Sequence, residues 1–325
     1  MKMDQAEIRV KGKTVKVPAV RIDDRTVIVT GRWLKVAAID DEMCLEGDVV
    51  PAPERFLARL REAELVADIL TFPQRLPETK PKYPYPYEWD NAAAIPITTY
   101  EDWFAKRAAT DVRQNVKKSV KRGVSTRTVP FDDQLVRGIH DIFNESPIRQ
   151  GRPFWHYGKD FETVKRETSH CLDRSEFIGA YCQDELIGFI KLLYTGKVAD
   201  VVIIVSKQKH FDKRPTNALL AKAVEVCVQR RISFLTYAKF SYGNKTNSSL
   251  ADFKRHHGFE QVLFPRYYIP LTLKGKIAER LKLYRNLQEM LPEKVIAVLV
   301  KARSRLYKGV VLPLRSAQEV KESNL

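Results

Sequence analysis

Residues 176 to 218 read Glu176-FIGAYCQDELIGFIKLLYTGKVADVVIIVSKQKHFDKRPTN-Ala218. Three apolar runs, Glu176 to Cys182, Leu186 to Tyr194 and Lys197 to Val205, are joined by Gln183-Asp184-Glu185 and by Thr195-Gly196. Turns this short join antiparallel neighbours, so the spacing predicts a three-stranded meander. A basic loop then leads to Pro215, and a helical pattern continues to Arg230; proline suits a first turn, where its missing N–H is no loss. Ile232 to Ala238 reads as a buried strand. Ser248 to His257 is a short helix ending at Gly258. Two closing strands are expected at Glu260 to Phe264 and at Arg266 to Leu271. On the other side of the meander stand a strand, Val124 to Val129, and two helices, Asp132 to Glu145 and Lys159 to Leu172. The order from Val124 to Thr272 is therefore β-α-α-β-β-β-α-β-α-β-β. That is not the regular alternation of a doubly wound nucleotide fold. It predicts an α+β class with a mixed, largely antiparallel sheet flanked by helices.

Ahead of this block, Thr98-x-x-Glu101 has the form of a capping box. It opens a helix expected to run to Arg122, with Val112, Val116 and Val120 as its buried stripe. The first hundred residues read as strands and one helix. Glu7 to Lys11 and Thr14 to Val17 suggest a hairpin around Gly12-Lys13; Val20 to Val29, Trp33 to Ala37 and Ala67 to Phe72 are further strands, and Pro53 to Leu65 is the helix. Six prolines from Pro73 to Pro96 predict an extended connector without regular structure. The expected division is 1–97 for an N-terminal α+β domain, 98–273 for the main domain and 274–325 for basic helices and a tail. Those helices are placed around Lys276 to Met290 and Pro292 to Tyr307.

Composition narrows the function classes. The 325 residues carry 56 Lys plus Arg against 40 Asp plus Glu, a formal net charge of +16. With 44% hydrophobic and 30% charged residues the chain is globular rather than disordered. Four cysteines (Cys44, Cys171, Cys182, Cys227) without a C-x-x-C pair argue against a disulfide scaffold and the common zinc spacings, and predict reduced thiols and no metal. The most apolar segment, Val198 to Val205, is eight residues long and includes Asp200. A membrane helix needs about 20 apolar residues. A cytoplasmic protein is expected, peripheral at most at the inner face of the membrane. The charge suits a polyanionic partner, although a merely solvated basic surface has the same composition.

Order and motifs together resemble the GNAT superfold of acyl-CoA N-acyltransferases, and more closely its Fem-like branch. Three segments carry the resemblance, which covers about Thr98 to Thr272. Arg113-QNVKKSVKR-Gly123 is similar to the basic helix that opens Fem-like acyltransferase domains. Glu185-Leu-Ile-Gly-Phe is a meander turn followed by an apolar strand. Ser249-LADFKRHHG-Phe259 has Phe253 and Lys254 before Gly258, as Fem-like proteins do, where ordinary GNAT enzymes often have a tyrosine four residues before the glycine. The resemblance implies transfer of an acyl or aminoacyl group to an amine, with acyl-CoA or aminoacyl-tRNA as donor. The implied acceptor is a sugar nucleotide, glycan, amino-sugar or peptide precursor of the cell envelope. It also allows the first hundred residues to be a second, partial copy of the fold. One departure stands out. A GNAT pyrophosphate loop reads R/Q-x-x-G-x-G/A and offers backbone N–H groups to coenzyme A phosphates. Here Lys213-Arg-Pro-Thr216-Asn-Ala218 puts Thr216 at a glycine position, and Pro215 removes a donor.

The candidate residues follow from the chemistry of acyl transfer, which needs a neutral amine, a stabilised oxyanion and a protonated leaving group. Lys254 is the candidate for the oxyanion by resemblance. Asp200, inside an apolar strand, is a candidate base if burial raises its pKa. His156 is the best-placed histidine for base work, and Tyr242 a candidate proton donor. Val205, Ser206, Lys209, Lys213, Arg214, Thr216, Asn217, Asn244 and Asn247 are donor-binding candidates. Arg149, Arg152, Trp155, Tyr157 and Lys159 mix cations with aromatic faces and suit an acceptor; Arg113 and Lys117 extend that surface. No Ser-His pair is evident, so positioning rather than covalent catalysis is expected. The alternative is a catalytically inactive GNAT-like protein that binds tRNA or anionic membrane through its basic faces.

Overall fold

The computed structural model describes residues 4–10, 13–241 and 248–285. In chain order the elements are β1 (Asp4–Val10), β2 (Lys13–Ile22), β3 (Arg25–Thr30), β4 (Val36–Ile39), α1 (Pro53–Glu62), β5 (Ile69–Pro73), β6 (Tyr87–Pro96), α2 (Tyr100–Asp102), α3 (Thr110–Lys121), β7 (Ser125–Val129), α4 (Asp133–Phe143), the two-residue strands β8 (Ile148–Arg149) and β9 (Arg152–Pro153), α5 (Phe161–Thr168), β10 (Ser175–Cys182), β11 (Glu185–Thr195), β12 (Val198–Ser206), α6 (Pro215–Gln229), β13 (Phe234–Thr236), α7 (Ser249–His256), β14 (Glu260–Pro270) and α8 (Leu273–Arg280). Twelve strands form one sheet in the order β1-β2-β3-β4-β5-β14-β6-β13-β12-β11-β10-β7.

That order repeats itself from both ends. The meander β2-β3-β4 is followed by α1 and by β5, which is parallel to β4. The meander β10-β11-β12 is followed by α6 and by β13, parallel to β12. The last strand of each half then pairs with the other half: β6 lies against β13, and β14 against β5. β6 and β14 meet in the middle over eight residue pairs. Three cores hold the layers. Side chains of α3 and α6 pack on one face of the second half, around Ile190, Leu192, Ala199 and Val201. Those of α4 and α5 pack on the opposite face, around Phe177, Leu186 and Phe189. α1 covers β2 to β5 together with Tyr267 and Ile269 of β14. The capping is local chemistry: Asp132 accepts from Leu135 N at 2.8 Å to start α4, and Asp160 from Thr163 N at 2.8 Å to start α5.

Several expected elements change for physical reasons. The single helix from Thr98 to Arg122 is broken into α2, a π-helical turn at Trp103–Arg107 and α3. The break lets Trp103 bury fully and donate from Nε1 to the His257 carbonyl at 2.9 Å. The cap is Thr99, whose hydroxyl accepts from Asp102 N at 3.0 Å, while Thr98 bonds the Asp102 carboxylate. The buried stripe of α3 runs through Val112, Val116 and Ser119, and Val120 is 69% exposed. The strand expected from Val20 to Val29 is turned at Asp23-Asp24 into β2 and β3. The proline connector is irregular only over residues 74–86, because Pro73 and Pro96 sit at strand ends where no ladder N–H is lost. Between Pro86 and Pro96 the chain forms β6, a central strand. The two closing strands are one, β14. The helix from Lys159 stops at Thr168, where the Lys191 ammonium binds the Thr168 carbonyl at 2.9 Å and that of His170. The helix expected near Lys276 ends at Arg280, and the one at Pro292 to Tyr307 lies outside the described residues. Among the described residues no helix is long and apolar enough to cross a membrane.

The expectation of reduced thiols fails at one pair. Cys44 and Cys171 form a disulfide across 127 residues, with Cα atoms 6.5 Å apart; Cys182 and Cys227 are free. A spacing this long leaves no local motif to read. The bond ties the loop after β4 to the end of α5, where Glu46 also accepts from Gly196 N at 3.1 Å and Arg174 approaches Glu46 at 3.6 Å. Peptide mapping without reductant should recover a Cys44–Cys171 cross-link. Replacing both residues by alanine should lower stability by about 2–5 kcal/mol. Free thiols at both positions in fully oxidised protein would contradict this pairing.

Candidate active site at the diverging strands

β12 and β13 run parallel for three residue pairs, Val198↔Phe234, Ala199↔Leu235 and Asp200↔Thr236. β13 ends there. The chain beyond it stays with β6: Tyr237 N donates to Ala93 O at 2.8 Å, and Ala93 N to Ala238 O at 2.9 Å. β12 continues to Ser206 in the company of β11 alone, with a bulge at Val202. A bulge bends a strand and increases its twist. The two strands therefore open like a V with Asp200 and Thr236 at the vertex. Beyond it, the β12 edge from Val201 to Val205 presents backbone groups with no strand partner on that side.

Asp200 lies on the α4–α5 face, since Ala199 and Val201 point into the α3–α6 core. Its carboxylate accepts from the Thr236 hydroxyl. Burial pushes the Asp200 carboxyl above the usual range, and the Thr236 bond and the nearby Arg75 charge only partly oppose this. Arg75 reaches the vertex from the proline connector. Its guanidinium bonds the Leu45 carbonyl, and burial holds it below the usual arginine range. One terminal nitrogen, Nη2, is buried with no hydrogen-bond partner among the described residues.

Lys254 comes from α7 to the chain just past β13, beside Tyr237 and Lys239. Its side chain is fully buried, its ammonium donates to Lys239 O at 2.6 Å, and it lies 4.7 Å from the Tyr237 ring centre. Burial lowers its pKa to about 8. Local chemistry fixes α7. The Ser248 hydroxyl caps Ala251 N at 3.2 Å, and Gly258 at φ +85 ends the helix where Arg107 leaves no room for a Cβ. His257 bridges Phe253 O at 2.8 Å and the Asn217 amide at 3.0 Å. Burial pulls the His257 imidazole down to about 4, so it stays neutral. Lys239 also ties the site to the first half: its ammonium is 2.8 Å from Asp90, which is 3.1 Å from Arg266, which in turn bonds Glu42 at 2.5 Å. Burial raises the Asp90 carboxyl, but the Lys239 bond and the charges of Lys239 and Arg266 bring it below its ordinary value.

The segment after β12 is basic but internally paired. Glu145 accepts from Gln208 N at 2.6 Å and Lys209 N at 2.9 Å. Glu185 takes Lys207 and Lys209, each at 2.7 Å, and His210 at 3.1 Å. Hydrogen bonds from the two lysines hold Glu185 down to about 2. Lys213 contacts His210 at 3.1 Å, and Thr216 pairs its hydroxyl with that of Ser206 at 3.1 Å. Arg214 adopts the left-handed conformation just before Pro215 and α6. Asn217 is engaged by His257, and Val205 packs on the α4–α5 side.

The loop between α4 and α5 flanks the far end of β12. Arg149 pins it there, donating to Ser206 O and Ile142 O, each at 2.7 Å. His156 is buried, 4.2 Å from the Phe143 ring and 3.8 Å from Trp155, with Lys159 at 3.3 Å from Nδ1. It belongs to the packing of this loop rather than to the vertex. Lys159 pairs with Glu167 at 2.7 Å and sits 4.4 Å from the Trp155 ring centre. Arg152, Trp155 and Tyr157 are exposed. Arg113 binds the carbonyls of Ala105 and Ala108 and so serves the helix break, while Lys117 is exposed on α3. Tyr242, Asn244 and Asn247 lie outside the described residues. The structure places Asp200 beside Thr236 at the vertex and Lys254 beside Tyr237 and Lys239 in the chain just past β13, and commits Arg149, Arg113 and His156 to the scaffold. Arg75, Thr236, Glu145 and Glu185 were not singled out by sequence; a threonine closing an apolar strand was the one readable signal among them.

No family model matches this chain, and no curated protein matches it. Solved structures do. FemX superposes with a TM-score of 0.55 at 9% identity, over 86% of this chain and 90% of that one. L-PGS from Bacillus licheniformis gives 0.49 at 12% identity, over 79% and 85%. A tandem GNAT protein from the clavulanic acid biosynthesis pathway gives 0.40 at 12% identity, over 78% and 81%. The chain shares the fold of FemX.

A buried lysine with a depressed pKa works against stability. Below pH 8 it is charged in both states and the burial penalty is complete. Between about pH 8 and the unfolded value near 10.4 the unfolded chain binds more protons, so the penalty shrinks as pH rises. Lys254→Met should therefore melt at or above the wild-type temperature at pH 7, with its advantage decreasing toward pH 10. A variant less stable at pH 7 than at pH 10, relative to wild type, would exclude a strained buried cation.

Proposed function

We propose that the chain is an N-acyltransferase that moves an aminoacyl or acyl group to an amine of a cell-envelope glycan, amino-sugar or peptide precursor. The observation that carries this reading is the opening between β12 and β13, with the Asp200 carboxyl, its pKa raised, at the vertex and the buried Lys254 ammonium beside the chain that continues from β13. The fold and the Phe253-Lys254 motif support it. In the reaction the acceptor amine attacks the donor carbonyl, forming C–N and breaking C–O of an ester or C–S of a thioester. Asp200 takes the proton that the amine loses, a role for which its raised pKa suits it. The unpaired edge of β12 and the Lys254 charge oppose the negative charge that builds on the carbonyl oxygen. Asp200 then returns a proton to the leaving oxygen or sulfur.

The donor we favour is an aminoacyl-tRNA. Lys207, Lys209 and the amides of Gln208 and Lys209 are bonded to Glu145 and Glu185, and Pro215 removes an amide from the loop that would face a coenzyme A pyrophosphate, whereas exposed Arg152, Lys117 and Trp155 remain for a larger polyanion. Purified protein should transfer radiolabelled amino acid from total aminoacyl-tRNA to a UDP-linked amino-sugar peptide precursor. Asp200→Asn and Lys254→Met should each lower kcat by at least about 100-fold. Wild-type turnover should fall as pH rises through about 8, where Lys254 loses its charge. Turnover with acyl-CoA but not with aminoacyl-tRNA would replace the donor; salt-sensitive tRNA binding without any turnover would leave a binding protein.

A further inference from the structure

α8 is attached to the body by one side. Gly275 is buried, and a Cβ there would collide with the Asp68 carbonyl; Ala278 is fully buried. The outer side carries Leu273, Ile277 and Leu281, which are 78%, 59% and 61% exposed. At about 100° per residue these three fall within roughly 80° of one another around the helix axis. Lys274 borders that stripe on one side, and Lys276 and Arg280 border it on the other. Beside it stands Trp33, 64% exposed, with the Lys274 ammonium on its carbonyl and 5.2 Å from its ring centre. Lys274 is shared with Asp68 at 3.1 Å. Lys276 and Arg280 pair with no carboxylate among the described residues.

Apolar side chains left in water on a helix bordered by cations need a partner that takes both. Nucleic acid would take the cations and leave Leu273, Ile277 and Leu281 wet. A purely apolar protein groove would take the leucines and leave Lys276 and Arg280 without counter-charge. An anionic lipid surface does both: aliphatic and indole groups enter the headgroup–acyl boundary while ammonium and guanidinium groups meet lipid phosphates. We propose that α8 and Trp33 form a docking face for the surface of an anionic bilayer. The helix lies flat in the interface, held by charge complementarity and about four apolar side chains. This face is separate from the diverging strands, and the proposal does not rest on acyl transfer.

The test is flotation of the full chain with vesicles. Phosphatidylcholine vesicles containing phosphatidylglycerol should carry the protein, pure phosphatidylcholine should not, and added salt should weaken the binding. Ile277→Glu combined with Leu281→Glu should cut the bound fraction at least about tenfold, with unchanged circular dichroism and melting temperature. Both side chains are exposed, so loss of fold is not the expected cause. Tryptophan emission should shift to the blue on binding, and Trp33→Phe should remove that shift. Absence of flotation with anionic vesicles would overturn the proposal. Unchanged flotation of the double variant would do the same, placing binding in residues 286–325. A dimer that the double variant converts to monomer, without flotation, would make this face a contact between copies instead.

Discussion

The short parallel pairing of β12 with β13 is the constraint on which the site depends. Three residue pairs join the strands, and then β6 takes over the chain after Thr236 through the Ala93 backbone bonds. β13 pairs with both neighbours over the same three residues, Phe234 to Thr236, and beyond them the chain follows β6 alone. β12 therefore runs six residues past its last pairing with one edge unclaimed. An unpaired backbone edge inside a sheet is costly unless something binds it. In this molecule the unclaimed edge begins beside the carboxyl whose pKa burial raises.

Around that vertex the protein keeps charges where an apolar core would be more stable. Taking an ion out of water has an effective penalty of several kcal/mol, offset only by good partners. Arg266 meets that condition, with Glu42 and Asp90 on either side, and their bonds hold the two halves in register. Lys254 and Asp200 are each shifted toward the neutral form by burial. Arg75 has a buried nitrogen without a partner. Groups with pKa values shifted by burial are the ones that mark a candidate site, in contrast to the paired scaffold charges.

Much of the second half was legible in sequence because its signals are local. The meander turns, Pro215 at a helix start, Ser248 as a cap and Gly258 as a stop all act within a few residues of themselves. So does the apolar context of Asp200, which suggested a carboxyl with a raised pKa, and burial raises it. What sequence could not show was set by distant partners. The break in the helix after Thr98 exists because Trp103 reaches a carbonyl of α7, 154 residues away. The disulfide joins residues 127 apart. The basic segment from Lys207 to Arg214 reads as a phosphate site until Glu145 and Glu185 are seen lying against it. Prolines near β6 suggested irregular chain, but prolines at strand ends cost no ladder bond, and the ten residues from Tyr87 became the centre of the sheet.

The two halves share a strand order but differ in where their parallel pairs end. β4 and β5 also run parallel for three pairs, Val36↔Ile69 to Ala38↔Thr71. β4, however, stops at Ile39, one residue past its last pairing, so no open edge forms. The chain instead turns through Asp40 and Asp41 to Glu42 and Cys44, which bond Arg266 and Cys171. β5 continues into Arg75, which carries a charge to the vertex of the other half. Two similar arrangements of strands thus differ by where one strand ends. In the second half the extra length of β12 leaves an open edge; in the first half the shortened β4 frees a loop whose Glu42 and Cys44 brace the second half, and the chain after β5 supplies Arg75.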